Sequence, residues 1–341
     1  MMHRKRIRSV GIIGSGMAGL ACAIRLNAVG IRVGIYEKSR GPGGRMASKR
    51  VDGDARTLDM GAQYFTIRNT RFRRFLESYA GFDTFAAWSG RLLHEADDGG
   101  LEAFTVQQRF VGAPRMSAIT RALSRHIPVE YGVQAERLEH DEDGWRILAQ
   151  GGHRIGPYDA LVLTPPPAQS NCLLHGFPEL QKELEGYSML PCMAVAACFS
   201  EPLDLDFQGV QLVQHPVLRW AGLDSSKPGR EEGVEWWVLH ADPYWSLSQL
   251  DKPEDEVSDA LVEAFRERFS LKAVVAERHI HRWRYAIPET EVGPGHLWYP
   301  KVNLGLCGDW LSGGRVEGAF DSAESLLAHL RSDDRLGFSL P

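Results

Sequence analysis

The sequence contains few cysteines, and none has the spacing of a metal site. Its 341 residues include only five cysteines, and no two of them form a CxxC pair. An odd number of thiols, most of them in apolar stretches, is typical of free buried cysteines in a reducing compartment. His279 and His281 would share one face of a strand, but no further ligand is evident beside them. We therefore expect a cytoplasmic protein without disulfides or a metal.

Long charged blocks and long apolar runs are also missing. The chain has 39 Lys and Arg against 44 Asp and Glu, a net charge of -5, and this charge is spread along the sequence. Such a distribution disfavours nucleic-acid and membrane partners. No stretch is long and apolar enough to cross a bilayer. The basic start before the apolar stretch Val10–Ile24 imitates a signal peptide, but cleavage there would remove a glycine motif, so we interpret it as strand, turn and helix.

The first part of the chain has the pattern of a strand, a helix and a second strand. Two short apolar segments, Arg8–Ile13 and Ile31–Tyr36, flank Met17–Val29, which has apolar residues at helical spacing. A crossover helix between two strands is typical of a parallel sheet. We therefore predict an α/β fold that begins with a Rossmann-like unit. Further along the chain we predict a helix at Thr70–Tyr79, a hairpin turn at Asp143-Gly144 and a single apolar strand at Tyr158–Leu163.

The turn between the first strand and the helix contains three glycines, Gly14, Gly16 and Gly19. In this motif the glycines permit a tight turn, the approach of a pyrophosphate and close packing of helix and strand. Glu37 lies 18 residues beyond Gly19, where its carboxylate would accept ribose hydroxyl hydrogens and repel a 2'-phosphate. The motif predicts a dinucleotide without separating NAD from FAD.

Three further features favour FAD. A diglycine loop containing Gly44 and Arg45 would bring a cation beside the pyrophosphate. Asp309, after an apolar strand, would accept a hydrogen bond from a ribityl hydroxyl. Gly318 and Ala319, at the start of the last helix, would let a flavin ring approach a helix N-terminus that raises its reduction potential. Each feature has an alternative that stays open. The diglycine loop could be a surface loop, Asp309 a turn or capping residue, and the last helix an ordinary packing helix.

The composition changes along the chain. The proline triplet Pro165–Pro167 disfavours both a helix and a central strand, so we interpret it as a crossing between domains. After it, tryptophans become frequent and alternating strands surround one predicted helix, Glu254–Arg268. We therefore predict a second, α+β substrate domain built on an antiparallel sheet. The FAD-binding domain is predicted to comprise residues 1–80, 115–167 and 299–341, and the substrate domain residues 81–114 and 168–298.

Together these motifs resemble the flavin-containing amine oxidase superfamily. The resemblance rests on Gly14 to Gly19, Glu37, Gly43-Gly44-Arg45, Asp59 to Phe65, Gly308-Asp309 and Glu317-Gly318-Ala319. Within that superfamily, the amino-acid sequences of further segments are similar to those of bacterial renalases. These segments are Lys38–Met46, Gly61–Thr66, Ser226–Pro228, Trp236–Ala241, His281–Trp283 and Gly314–Ala319.

The resemblance implies a two-domain flavoprotein with non-covalently bound FAD. It would oxidise isomeric dihydronicotinamide dinucleotides, chiefly 2-dihydro-NAD(P), to NAD(P)+ and pass the electrons to dioxygen as hydrogen peroxide. Cys307 precedes Gly308 inside an apolar strand and is interpreted as a packed thiol rather than a covalent flavin link. The expected cofactor contacts are Gly14, Gly16, Met17, Ala18, Gly19, Glu37, Lys38, Gly44, Arg45, Gly61, Ala62, Gln63, Val133, Gly308, Asp309, Val316, Gly318 and Ala319.

Arg315 departs from the amine oxidase pattern. In amine oxidases the position two residues before the Glu-Gly pair is aromatic and helps to hold the substrate amine. A guanidinium there would repel a protonated amine and attract a phosphate or a carboxamide oxygen. An ion pair of Arg315 with Glu317 or Asp321 is the structural alternative.

The predicted chemistry needs little acid or base catalysis, because a dihydropyridine becomes aromatic when it releases a hydride. Flat side chains such as Tyr285 could stack on the substrate, and amide or imidazole groups could hydrogen-bond it. Ordinary core packing stays open for each of them. The candidate catalytic residues are Gln63, Tyr64, His240, Trp283 and Arg315. An amine oxidase or desaturase-like enzyme and an FAD-bound redox sensor are the competing functions.

Overall fold

The computed structural model describes residues 6–51, 56–104, 107–231, 233–290, 292–333 and 335–336. Its strands are β1 Ser9–Ile13, β2 Arg32–Glu37, β3 Lys49–Val51, β4 Arg56–Leu58, β5 Phe85–Ala87, β6 Leu92–Glu95, β7 Leu101–Ala103, β8 Phe110–Gly112, β9 Val129–Tyr131, β10 Ala135–Asp141, β11 Gly144–Ala149, β12 His153–Tyr158, β13 Ala160–Leu163, β14 Met189–Phe199, β15 Gly209–Gln211, β16 Leu218–Leu223, β17 Trp236–Ala241, β18 Val275–Pro288, β19 Leu297–Tyr299 and β20 Leu304–Leu306. Its α-helices are α1 Met17–Asn27, α2 Thr70–Phe75, α3 Ser117–Leu123, α4 Pro167–Leu173, α5 Pro178–Leu184, α6 Pro243–Ser248, α7 Glu254–Arg268 and α8 Val316–Ser332.

A six-stranded sheet in the order β19-β20-β13-β1-β2-β9 forms one part of the molecule. Its strands are parallel except β19, which pairs antiparallel with β20. All five residues of β1 are buried, as expected for a central strand of a parallel sheet covered on both faces. Helices α1 and α8 contribute to one hydrophobic core with this sheet. The predicted α/β class and the strand, helix and strand of the first unit are confirmed.

A seven-stranded sheet in the order β18-β14-β17-β16-β15-β6-β7 forms the other part. Neighbouring strands are antiparallel except β15 and β6. Successive residues of a strand point to opposite faces. Val195 and Leu239 therefore pack with α7 on one face, whereas Ala194 and Val238 lie on the other. The predicted antiparallel sheet is confirmed, and the domain boundaries themselves stay predictions.

Two predicted elements differ in detail from the structure. The single strand predicted from Tyr158 to Leu163 is two strands in different sheets, because β12 ends at Tyr158 and β13 begins at Ala160. Asp159 lies between them, and its carboxylate accepts hydrogen bonds from Ser9 N and Ser9 Oγ, both at 3.0 Å. Asp159 therefore fastens the chain to β1 at the point where the chain passes from the sheet of β12 to the sheet of β13.

The proline triplet does not exclude a helix, which is a correction to its interpretation. Pro167 is the first residue of α4. A proline is tolerated there because the N–H that it lacks has no partner inside the helix. Another predicted helix, Thr70–Tyr79, is α-helical only to Phe75 and continues as a π-helical turn, Leu76–Ala80.

A predicted hairpin near Asp143-Gly144 is confirmed, since β10 and β11 pair antiparallel with Asp141 opposite Gly144. Among the described helices, none combines the length and apolar character needed to cross a membrane.

Candidate functional site

The three glycines of the first turn differ in what surrounds them. Gly14 has φ +101°, and a Cβ atom there would strike the Thr164 hydroxyl. A Cβ at Gly19 would strike the Gly14 carbonyl oxygen. At Gly16, by contrast, nothing lies within 4 Å of the position that a Cβ would take. The chain itself therefore requires Gly14 and Gly19, whereas Gly16 keeps a space open above the start of α1.

The helix N-termini at the candidate site have no side-chain caps. Gly16 is the N-cap of α1, no side chain accepts a hydrogen bond from its first turn, and that turn, which begins with Met17 and Ala18, contains no acidic residue. Arg315 is the N-cap of α8, again without a side-chain cap. Uncapped N–H groups and the positive end of the helix dipole suit phosphate or another anion. The first turn of α1 therefore fits the pyrophosphate of FAD, whereas the first turn of α8 contains the acidic residue Glu317.

Glu37 connects the glycine turn to the loop that follows β2. One carboxylate oxygen accepts hydrogen bonds from Ser15 N at 2.9 Å and Ser15 Oγ at 3.0 Å, and the other accepts from Ser39 N at 2.9 Å. The backbone oxygen of Glu37 accepts from Val133 N at 3.0 Å. A carboxylate has about four lone-pair sites, so one stays available for the ribose contact, which stays a prediction. Lys38 is exposed.

Arg45 and Asp309 form a bidentate ion pair, although they are 264 residues apart in sequence. Arg45 Nη1 donates to Asp309 Oδ2 at 2.7 Å, and Nη2 contacts Oδ1. The sequence predicted each residue as a separate cofactor contact and did not predict the pair. Arg45 O also accepts a hydrogen bond from Ala62 N at 2.9 Å. Arg45 therefore fastens the diglycine loop to Asp309 and to Ala62, which belong to two other predicted cofactor segments. Gly44 leaves open space around its Cβ position.

The first turn of α8 is fixed by a buried glutamate. Glu317 accepts hydrogen bonds from Arg68 N at 2.9 Å and Asn69 N at 2.7 Å, and Asp321 accepts from Asn69 Nδ2 at 3.0 Å. Arg315 is exposed, and within the described ranges it forms no ion pair with either carboxylate. The alternative that pairs Arg315 with Glu317 or Asp321 is therefore wrong. A Cβ at Gly318 would strike the Ser312 carbonyl oxygen, so this glycine is required by helix packing, and Val316 and Ala319 are half-buried.

Three predicted substrate contacts converge on one short segment. His240 Nε2 lies 3.0 Å from Met60 O, and Trp283 Nε1 donates to the same oxygen at 2.9 Å. Gln63 Nε2 donates to Gly61 O at 3.1 Å. Since a carbonyl oxygen can only accept, His240 carries its hydrogen on Nε2. The structure thus brings Gln63, His240 and Trp283 together at Met60.

The imidazole of His240 is neutral at physiological pH. Burial lowers the pKa of His240 from 6.5 to about 4, the Met60 carbonyl opposes this effect and the Lys227 cation adds to it. His240 therefore acts as a neutral hydrogen-bonding group at this site and adds no positive charge.

A buried ionic cluster behind Gln63 was missed by the sequence reasoning. Lys227 is 2% exposed, and its Nζ lies 2.7 Å from Asp224 Oδ1 and 3.2 Å from Gln63 Oε1. Asp59 contacts Arg230 Nη2 and accepts from Met116 N at 3.0 Å. Burial raises the pKa of Asp224. Because an ammonium only donates, Lys227 fixes the orientation of the Gln63 amide.

The aromatic candidates lie on two sides of His240. Trp283 packs against His281 with ring centroids 4.2 Å apart. Tyr64 lies 5.4 Å from Trp220, which is directly opposite His240 in the β16–β17 ladder. Tyr285 is half-buried on β18. Stacking of these rings on a substrate stays a prediction.

Cys307 and His279 are both packed against neighbouring side chains. Cys307 is fully buried, with its Sγ 3.7 Å from Cys22 Sγ, as expected for a packed thiol. His279 stacks on Trp236 with centroids 5.5 Å apart. Across the described ranges, no group of three or more His, Cys, Asp or Glu residues is arranged to hold a metal ion.

Two family models match the chain. A model of an NAD(P)-binding Rossmann-like domain matches residues 12–79, and the model of the flavin containing amine oxidoreductases matches residues 69–325. Together with the parallel sheet and the glycine turn, these matches define a flavin-dependent oxidoreductase with FAD as its cofactor. The chain belongs to the flavin containing amine oxidoreductase family, which the second model covers over most of its length.

Curated relatives are similar to short segments only. A 4,4'-diapophytoene desaturase of Staphylococcus haemolyticus is 37% identical over 76 residues, which are 22% of this chain and 15% of that protein. A zeta-carotene-forming phytoene desaturase of Myxococcus xanthus is 44% identical over 54 residues, 16% of this chain and 10% of that protein. The chain thus matches well under two thirds of either relative.

Solved structures are similar over nearly the whole chain. UDP-galactopyranose mutase in its reduced form has a TM-score of 0.74 at 12% identity, covering 98% of this chain and 96% of that one. An oxidoreductase from Methanosarcina mazei has a TM-score of 0.71 at 14% identity, covering 94% and 100%. Putrescine oxidase bound to putrescine has a TM-score of 0.67 at 13% identity, covering 95% and 99%. At such identities the likeness concerns the fold alone.

Proposed function

We propose that the protein oxidises isomeric dihydronicotinamide dinucleotides, chiefly 2-dihydro-NAD(P), with dioxygen as the electron acceptor. One dihydronicotinamide, one dioxygen and one proton would give one NAD(P)+ and one hydrogen peroxide. The bound FAD supplies the two-electron acceptor for the hydride. We also propose a cytoplasmic location, which the five free cysteines favour.

Arg315 is the observation that carries the proposal. It is an exposed, permanent cation at the N-terminus of α8, and within the described residues no carboxylate neutralises it. A protonated amine would be repelled there, whereas a phosphate or a carboxamide oxygen would be attracted.

The groups around Met60 support the same substrate. Gln63, His240 and Trp283 carry no net charge, and hydrogen bonds to the backbone carbonyl oxygens of Gly61 and Met60 hold them in place. The indole of Trp283 is a flat apolar group beside the other two. These groups suit a neutral carboxamide-bearing ring that must be oriented rather than deprotonated. The ionic cluster at Lys227 holds the Gln63 amide in one orientation.

Amine oxidation or desaturation is the second candidate, favoured by the family match over residues 69–325. It predicts that a primary or secondary amine is oxidised faster than any dihydronicotinamide.

Product analysis separates the two candidates. The holoenzyme is supplied in air with 2-dihydro-NAD, ordinary NADH or putrescine, and NAD+ and hydrogen peroxide are quantified. We expect equal amounts of NAD+ and peroxide from 2-dihydro-NAD and neither product at a comparable rate from the other two. Peroxide from putrescine, with none from 2-dihydro-NAD, would overturn the proposal.

A further inference from the structure

A continuous row of side chains leads from His240 toward the far edge of the seven-stranded sheet. His240, Trp220, Gln211 and His94 are direct cross-strand neighbours on β17, β16, β15 and β6, so their side chains lie on one face. The indole of Trp220 lies over two glycines that face each other across β15 and β16. A Cβ at Gly209 would come within 2.9 Å of that ring, and one at Gly222 within 2.7 Å. The row therefore places the buried indole of Trp220 beside His240. Together with the half-buried rings of Tyr64 and Phe104, this indole forms an aromatic floor beside the candidate site.

Tyr64 and Phe104 of this floor hold a guanidinium between them. The Tyr64 ring lies 5.4 Å from Trp220 and 6.4 Å from Phe104. The guanidinium carbon of Arg109 lies 3.8 Å from the Phe104 centroid and 5.4 Å from the Tyr64 centroid. Two aromatic faces therefore hold Arg109 in place. Its Nη1 donates to Gln107 O at 2.9 Å, while its buried Nε has no hydrogen-bond partner.

Arg68 is linked to Arg109 through one residue, and Arg68 also contacts the helix turn that follows Arg315. Arg68 Nη2 donates to Gln107 Oε1 at 3.2 Å, so Arg68 and Arg109 share Gln107. Arg68 N donates to Glu317, which places Arg68 beside the first turn of α8, directly after Arg315. Within the described ranges, none of these three guanidiniums forms an ion pair. Nearby Arg73, by contrast, pairs with Glu77 at 3.4 Å.

From this arrangement we infer that Arg68, Arg109 and Arg315 bind the diphosphate of a dinucleotide substrate whose nicotinamide ring lies at Gln63, His240 and Trp283. The inference rests on the proposed function and adds the part of the site that recognises the dinucleotide rather than the ring. Guanidinium groups suit phosphate because their planar donors can form two parallel hydrogen bonds to it. The aromatic floor between the ring site and the three arginines suits the apolar faces of the nucleotide.

Paired substrates and paired variants test the inference. The substrates are 2-dihydro-NAD and 2-dihydronicotinamide riboside, which has the same ring but no phosphate. The variants are R68Q/R315Q, which changes two exposed side chains, and R109Q. The matched control is R137Q/R154Q, because both of those arginines are exposed and pair with Glu139 on the antiparallel sheet of β10, β11 and β12. Its change of net charge equals that of R68Q/R315Q.

We expect R68Q/R315Q to raise KM for the dinucleotide about tenfold, the effect of losing one to two charge-assisted hydrogen bonds. The fall in kcat/KM should be much larger for the dinucleotide than for the riboside, because only the dinucleotide carries the phosphates. R109Q should also raise KM for the dinucleotide. The control R137Q/R154Q should change neither KM for the dinucleotide nor kcat/KM for the riboside. The dissociation constant of oxidised NAD, titrated into the holoenzyme, should rise in parallel with KM.

The outcomes separate this inference from the proposed function. If the wild-type enzyme oxidises neither substrate, the proposed function fails, and the NAD titration then tests the arginines independently. If the wild type oxidises both substrates and the variants leave KM for the dinucleotide and the NAD dissociation constant unchanged, only the arginine assignment is wrong. An equal loss with the riboside would also overturn it, because the arginines would then act on the ring or on the fold.

Discussion

The cofactor side and the substrate side of the candidate site are built in opposite ways. At the glycine turn, backbone groups of Gly14 to Gly19 act within six consecutive positions, and the decisive feature is the absence of side chains. On the substrate side, charged and aromatic side chains act across long sequence separations, such as the 164 residues between Gln63 and Lys227. We expect backbone groups to bind a cofactor that many enzymes share, and side chains from distant segments to select what reacts with it.

The largest expected effect concerns the buried ion pairs of Lys227 on the substrate side. Lys227→Met would leave Asp59 and Asp224 with too little positive charge, and breaking a buried ion pair costs about 3–5 kcal/mol. Urea unfolding of the holoenzyme measures this loss. Lys252→Met is the control, since Lys252 has the same 2.7 Å distance to its carboxylate as Lys227 but is half exposed. An exposed pair contributes about 0–1 kcal/mol. Equal losses in the two variants would contradict the importance of burial.

His240 should make the substrate side sensitive to acid. Its pKa is about 4 in the folded protein, against 6.5 for an ordinary histidine. Between these values the unfolded chain binds a proton that the folded protein does not, so the free energy of unfolding falls as the pH falls. The loss begins near the ordinary pKa and approaches about 3 kcal/mol near the folded one.

Unfolding curves at several pH values, compared with those of His240→Gln, isolate this contribution, because all other titrating groups are common to both proteins. A His240→Gln protein with the full wild-type dependence on pH would show that His240 is not responsible.

The smallest expected free-energy change concerns the cofactor side. Gly16→Ala places a methyl group in the open space above α1, where the pyrophosphate would approach. We expect the FAD dissociation constant to rise about tenfold, which is ~1.4 kcal/mol, while the stability of the apoprotein changes little. Titration of the apoprotein with FAD measures this. Gly176→Ala also meets no atom within 4 Å and should bind FAD normally. Normal affinity in the Gly16 variant would place the pyrophosphate elsewhere.

The same contrast explains how much of the molecule could be predicted from the sequence. The strand, helix and strand of the first unit and the bounds of α7 follow from local periodicity, and the structure has them as expected. The separation of β12 from β13 depends on the contact of Asp159 with Ser9, which is 150 residues away. No local pattern encodes such a contact.

Side chains of the site could be predicted singly but not in their partnerships. Arg45 and Asp309 each stand beside a recognisable glycine, which makes them candidates, yet their mutual ion pair appears only after folding. Lys227 lies between a serine and a proline in a polar loop, the usual setting of an exposed lysine. Only the tertiary structure places it, fully buried, against Gln63 and Asp224.

Anaerobic reduction of the bound flavin tests whether 2-dihydro-NAD is the substrate, without the reaction with oxygen. The oxidised holoenzyme is mixed without oxygen with 2-dihydro-NAD, ordinary NADH or putrescine, and the loss of flavin absorbance is followed. We expect 2-dihydro-NAD to bleach the flavin within seconds and the other two compounds to act far more slowly. Rapid bleaching by putrescine, together with a flavin that 2-dihydro-NAD leaves oxidised, would contradict the proposed function.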